Sequence, residues 1–135
     1  MPSLQIVAEP WAQEANLYGL QESDIKQGLQ DGGFVRSVVV ITRPNRFKKA
    51  LEHVIWLHPS WLKGFYPFCT HRGRSMRSYK DLDLLVLHCR DNWNYRGGIT
   101  VRLHNDPKVV TFQESARQRA ARRIADLVGN EALLD

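Results

Sequence analysis

The sequence predicts an α+β fold: a single domain with a mainly antiparallel sheet of about four to five strands and helices packed on one face. Apolar, β-branched runs recur, as in Val38-Val39-Val40-Ile41. Turn residues punctuate them, at Asp31-Gly32-Gly33, Arg43-Pro44-Asn45 and Asn105-Asp106-Pro107. A helical apolar period appears towards both ends of the chain. With 135 residues, 43% of them hydrophobic and 24% charged, the chain suits one domain, residues 1–135, with a core of its own.

Leu4-Gln5-Ile6-Val7-Ala8 alternates and is short, so it reads as an edge strand or an extended arm. Pro10 suits the first turn of a helix. From Trp11 to Leu29 the residues Leu17, Leu20, Ile25 and Leu29 share one side at helical period, with Gly19 and Gly28 weakening the run. Residues 1–33 are therefore read as an acidic, mainly helical segment.

Phe34 to Thr42 is the first strong strand, and its unbroken apolar run fits a strand covered on both faces. A short basic helix is expected over 46–54. Residues 56–80 carry Pro59, Gly64, Pro67 and Gly73 among aromatic and basic residues, and they read as a long irregular loop completing the basic segment 34–80.

Asp81 to Cys89 (DLDLLVLHC) reads as the second strong strand, followed by a loop ending at Gly97-Gly98. Ile99 to His104 alternates, placing Ile99, Val101 and Leu103 inward. With Lys108 to Thr111 these pieces make residues 81–111 a set of antiparallel strands. Thr111 and Glu114 match a capping box, so a helix is expected over 112–128, stopping at Gly129-Asn130. Along it Ala116, Ala120, Ile124, Leu127 and Val128 form an apolar stripe, with Arg119, Arg122 and Arg123 roughly opposite.

Several function classes find no support. No run approaches the ~20 apolar residues of a transmembrane helix. Positions 1–20 lack a basic region leading into an apolar one, so no secretory leader is expected and the expected location is cytoplasmic. Cys69 and Cys89 then read as free thiols in a reducing compartment. Cys69-x-His71 and His88-Cys89 supply zinc-type ligands, but adjacent residues on a strand point to opposite faces, so no metal is expected. The chain has no G-x-S-x-G, no phosphate-binding G-x-x-x-x-G-K-[ST] and no G-x-G-x-x-G, and no cofactor is expected.

The net charge of +5 is unevenly placed. Residues 1–33 set five acids against Lys26, a net −4. Residues 34–80 set ten bases against Glu52 alone, a net +9, and residues 81–135 balance at eight of each. Such asymmetry points to an anionic partner, or to the acidic segment folding back over the basic one.

Between Glu52 and Asp81 no acid interrupts a mixture of aromatic and basic residues. Single-stranded nucleic acid needs both components, because bases stack on rings while Lys and Arg neutralise phosphates. Lys63, Arg72, Arg74, Arg77, Lys80 and Arg96 are the candidate phosphate contacts, and Trp61, Tyr66, Tyr79, Trp93 and Tyr95 the candidate stacking platforms. The aromatics of 56–68 have a second reading as core residues. Arg119, Arg122 and Arg123 form a secondary basic patch, or a solvated outer helix face.

The leading expectation is thus a small, non-enzymatic module for single-stranded nucleic acid or structured RNA. One alternative is an accessory or inhibitor protein, of a kind found in mobile elements, docking its basic surface on an acidic protein. The other is metal-independent RNA cleavage, with His58, His71, His88 and His104 as candidate acids and bases.

Overall fold

The computed structural model describes residues 19–45, 47, 49–71 and 75–134; of residues 124, 127 and 129–134 it describes the backbone alone. The sequence-predicted strand at Leu4–Ala8 and the helix expected from Trp11 as far as residue 18 lie outside the described residues, as do Arg46, Lys48, Arg72 and Arg74. The elements are α1 (Glu22–Gln30), β1 (Val35–Pro44), β2 (Leu51–Pro59), β3 (Tyr66–Pro67), β4 (Ser78–Tyr79), α2 (Leu82–Trp93), β5 (Ile99–Leu103) and α3 (Pro107–Leu134).

The α+β class holds, with one sheet of five strands. β1 and β2 form an antiparallel hairpin, running from Val35 opposite Pro59 to Pro44 opposite Leu51. β3 and β4 pair with the other edge of β2. β5 lies parallel to β1, from Val38 beside Ile99 to Thr42 beside Leu103. The sheet is therefore mixed. A parallel pair needs a long crossover, and α2 is part of it.

This corrects the expectation of a strand over 81–89. Asp81-Leu82-Asp83-Leu84 alternates like a strand, but leucine is a strong helix former and burial follows the helical spacing. Leu85, Cys89 and Trp93, each four residues apart, are almost fully buried, whereas Leu84 and Leu87 are exposed. The helix ends at Asn94, whose φ of 52° is left-handed. The expected basic helix over 46–54 is also replaced. The stretch from Leu51 onward is β2, because Val54, Ile55, Trp56 and Leu57 find partners along β1.

Helices cover both faces of the sheet, not one. Side chains alternate along β1, so Val38 and Val40 join one core with Ile25, Leu85, Cys89 and Trp93 of α1 and α2. Val39 and Ile41 join a second core with Val54, Trp56, Val109 and Ala116 beneath α3. α3 begins at Pro107, earlier than the expected Thr111 cap, and 108–111 is its first turn in place of a strand. Pro107 suits that start, and the Asp106 carboxylate accepts the Lys108 N–H at 2.8 Å. That bond, with Arg102 3.1 Å away, holds the Asp106 carboxyl below its usual range. The helix also continues through Gly129-Asn130 to Leu134.

Two details refine the expected burial. β5 is an edge strand, so of the residues expected inward only Ile99 packs on the core, while Val101 and Leu103 are 48% and 59% exposed. Gly28, which weakens α1 by propensity, permits a close approach: a Cβ there would lie 2.2 Å from the Trp61 ring.

Candidate functional site

A cleft of about 460 Å³ opens where the chain enters β1 and leaves α2. Its walls include Gly33, Phe34 and Arg36 on one side and Asp91, Asn92, Asn94 and Arg96 on the other. Two buried anchors shape the second wall. Trp93 donates its indole N–H to Glu22 at 3.1 Å and meets the Phe68 ring edge-on at 5.0 Å. Tyr95, also buried, donates its hydroxyl to the Gly98 carbonyl at 2.5 Å. Arg96 follows these anchors and is exposed at the rim.

The first wall follows from strand alternation. Val35 points into the core, so Phe34 and Arg36 point away from it. Phe34 is 54% exposed, and the Arg36 guanidinium lies 5.1 Å from its ring centroid. The Ser60 hydroxyl accepts the Phe34 N–H at 2.9 Å and fixes the backbone there. One open aromatic face, two guanidiniums and the amides of Asn92 and Asn94 thus share a cleft. Asp91 is the acid on its rim.

A second cleft, about 360 Å³, is lined by Glu22, Ser23, Thr70, His71, Arg77 and Ser78 among others. The Gln21 side chain holds this loop by donating to the Thr70 and His71 carbonyls at 3.1 and 2.9 Å. Arg77 is exposed and stacks 5.2 Å from the Tyr79 ring centroid. Arg72 and Arg74, the sharpest sequence candidates, lie outside the described residues. Lys63 and Lys80 are exposed but line neither cleft.

The expected stacking platforms need correction. Tyr79, Trp93 and Tyr95 are at most 9% exposed and belong to the core. Burial pushes the Tyr79 phenol up to about 12, against the opposing pull of Arg77. Trp61 is half-buried against Gly28 and Gly33, and Tyr66 lies under the Arg119 guanidinium at 4.3 Å. Arg119 also donates to the Phe65 carbonyl, so it ties α3 to the sheet and leaves the secondary patch to the exposed Arg122 and Arg123. In 56–68, Trp56, Leu57 and Phe68 are core.

The four candidate histidines do not converge. His58 packs near Phe65 at 5.5 Å, in the α3 layer. His88 sits on α2, 3.1 Å from Glu22 and against Phe68 and Trp93. His104 lines a small cavity with Trp56 and Met76 on the α3 face, away from His88. His71 opens into the second cleft. His88 lies on α2 and not at a strand end, on the sheet face opposite the cavity that His104 lines.

Among the described residues no three His, Cys, Asp or Glu side chains gather where they would hold a metal ion. Burial raises the Cys89 thiol to about 12, so it is protonated at neutral pH and a poor ligand or nucleophile. Phe34 and Arg36 were missed by the sequence reading. Their signal was Gly32-Gly33-Phe34-Val35-Arg36, an aromatic and a base flanking a buried valine just after two glycines.

No helix of the described residues is long and apolar enough to cross a membrane. Compared with known proteins, the chain matches no family model, no curated protein and no solved structure.

Proposed function

We propose that the protein is a small nucleic-acid-binding module that takes single-stranded nucleic acid in the cleft between β1 and the end of α2. The observation that carries this reading is Phe34, an aromatic ring left half in solvent and flanked by Arg36, with Arg96 on the same cleft. The open face of Phe34 stacks one base, a contact worth about 1–3 kcal/mol in known single-strand binders. Arg36 and Arg96 neutralise phosphates on either side, and Asn92 and Asn94 offer amides to base edges or sugar. Arg77 and Lys80 extend the positive surface beyond the cleft, where longer strands gain further contacts. Binding without turnover is the role assigned to the cleft.

Fluorescence anisotropy of a labelled single-stranded oligonucleotide, titrated across salt concentrations, tests the assignment. Arg36→Ala with Arg96→Ala is expected to weaken binding for every sequence and to lower the slope of log K against log salt by about 1.4, from ~0.7 per phosphate contact. Phe34→Ala is expected to weaken binding about 5- to 150-fold with the slope unchanged, because stacking releases no counterion. An unaltered slope in the double variant, or no oligonucleotide binding at all, sinks the proposal. In the latter case the basic surface belongs to a protein partner.

A further inference from the structure

We infer that the cleft between β1 and the end of α2 selects guanine, with Asp91 as the residue that reads the base. This selection rests on the single-strand reading of the cleft and adds which base is recognised and by which group. Among the described residues that line the cleft, Asp91 is the acid set against Arg36 and Arg96. It is exposed, and among the described residues no hydrogen bond or ion pair engages its carboxylate, although two guanidiniums line the same cleft.

Neither folding nor phosphate binding explains an acid there. Asp91 lies in the last turn of α2, at the negative end of the helix dipole, where a carboxylate is unfavourable and a base such as Arg90 is favoured. A carboxylate also repels the phosphates that Arg36 and Arg96 attract. An acceptor-only group in such a place is accounted for by a ligand that brings donors to it. A stacked base supplies them. Phe34 leaves its ring half in solvent on the opposite wall, with its backbone N–H fixed by the Ser60 hydroxyl at 2.9 Å. A base lying on that ring extends its polar edge across the cleft towards Asp91. The volume of about 460 Å³ falls in the range of small-ligand pockets and admits a single base.

The edges of the four bases differ in what they offer a carboxylate. Guanine presents two adjacent donors, N1–H and the 2-amino group, which two carboxylate oxygens accept side by side. Adenine and cytosine set a ring-nitrogen acceptor next to their amino group, so one carboxylate oxygen meets a lone pair. Uracil and thymine set a single N3–H between two carbonyl oxygens, the poorest match. The acceptor that guanine keeps beside its donors, O6, takes a donor from the same rim, where Asn94 and Arg96 are exposed.

Fluorescence anisotropy with a labelled oligothymidylate carrying one guanine, one inosine or neither tests the inference. The wild type is expected to bind the guanine strand about 5- to 150-fold more tightly than the plain strand, the discrimination of one bidentate pair. Inosine keeps N1–H but lacks the 2-amino group, so its strand is expected to fall between the two. That comparison is made on the wild type and does not depend on how a variant folds. Asp91→Asn replaces one acceptor oxygen by a donor at nearly constant size, and it is expected to erase the preference for guanine. Equal wild-type binding of all three strands overturns the inference and leaves the single-strand module standing, as does a preference that survives in Asp91→Asn. Tighter binding of the ribose form whatever the base also overturns it, because the carboxylate then takes the 2′-hydroxyl. Absence of binding to every strand overturns the single-strand reading itself, and the guanine selection with it.

Discussion

The two faces of the sheet are built from the same strands yet pack in different ways. Beneath α1 and α2, Phe68, Trp93, Tyr79 and Tyr95 bring their rings together around Leu85 and Cys89, and polar bonds reach in from Glu22 and Gly98. Beneath α3, the helix meets Val39, Ile41, Val54 and Trp56 through Val109 and Ala116, and Phe112 stacks on Phe65 at 4.6 Å. Large rings lock the first layer and hold the loop after α2, where the candidate cleft lies. In the second, one ring pair and the small Ala116 seat the helix, whose described side chains are exposed beyond Ala120.

The largest expected effect comes from removing a ring. Trp93→Ala deletes the edge contact with Phe68 and the bond to Glu22, and it should destabilise by about 3–5 kcal/mol in urea unfolding. A loss as small as that of a surface substitution would erase the contrast between the faces. Ala116→Leu probes the other layer by overpacking the α3 seam, with an expected cost of about 1–3 kcal/mol. Its unfolding midpoint should fall less than that of Trp93→Ala, and the reverse order breaks the comparison.

A further effect is a pH dependence confined to the α2 face. The folded Cys89 thiol is raised from its usual 9.0 to about 12, and the Tyr79 phenol from 10.0 to about 12, both chiefly by burial. In the unfolded chain both lose their protons near the usual values, whereas the folded protein keeps them. Their contribution to stability is therefore complete below about pH 9 and is lost as pH rises towards 12. Urea midpoints measured from pH 8 upward should fall, and Cys89→Ala should show a shallower fall. An identical decline in that variant would remove Cys89 as its source.

The candidate site was half legible. Arg96 and its loop were found because Asn, Gly and an exposed base mark a surface segment. Trp93 and Tyr95 beside it were taken for contact residues, since a sequence shows that an aromatic is present but not which way it faces. Phe34 was read as the first residue of a strand. Its exposure follows only from Val35 claiming the core position and from the strand lying where α1 ends.

By itself the sequence determined the α+β class, the strand at Val38–Ile41, the helix seeded by Ala116 and Ala120 and the placement of charge. These are local properties of composition and period. Tertiary structure decided the rest. Asp81 to Cys89 satisfies strand alternation at its start and helical spacing at Leu85 and Cys89. The choice fell to the helix because Trp93 completes a buried stripe against Phe68 and Glu22, residues distant in sequence. The parallel placement of β5 beside β1 is equally non-local, since a strand's pattern states how its faces are buried and not which neighbour it joins.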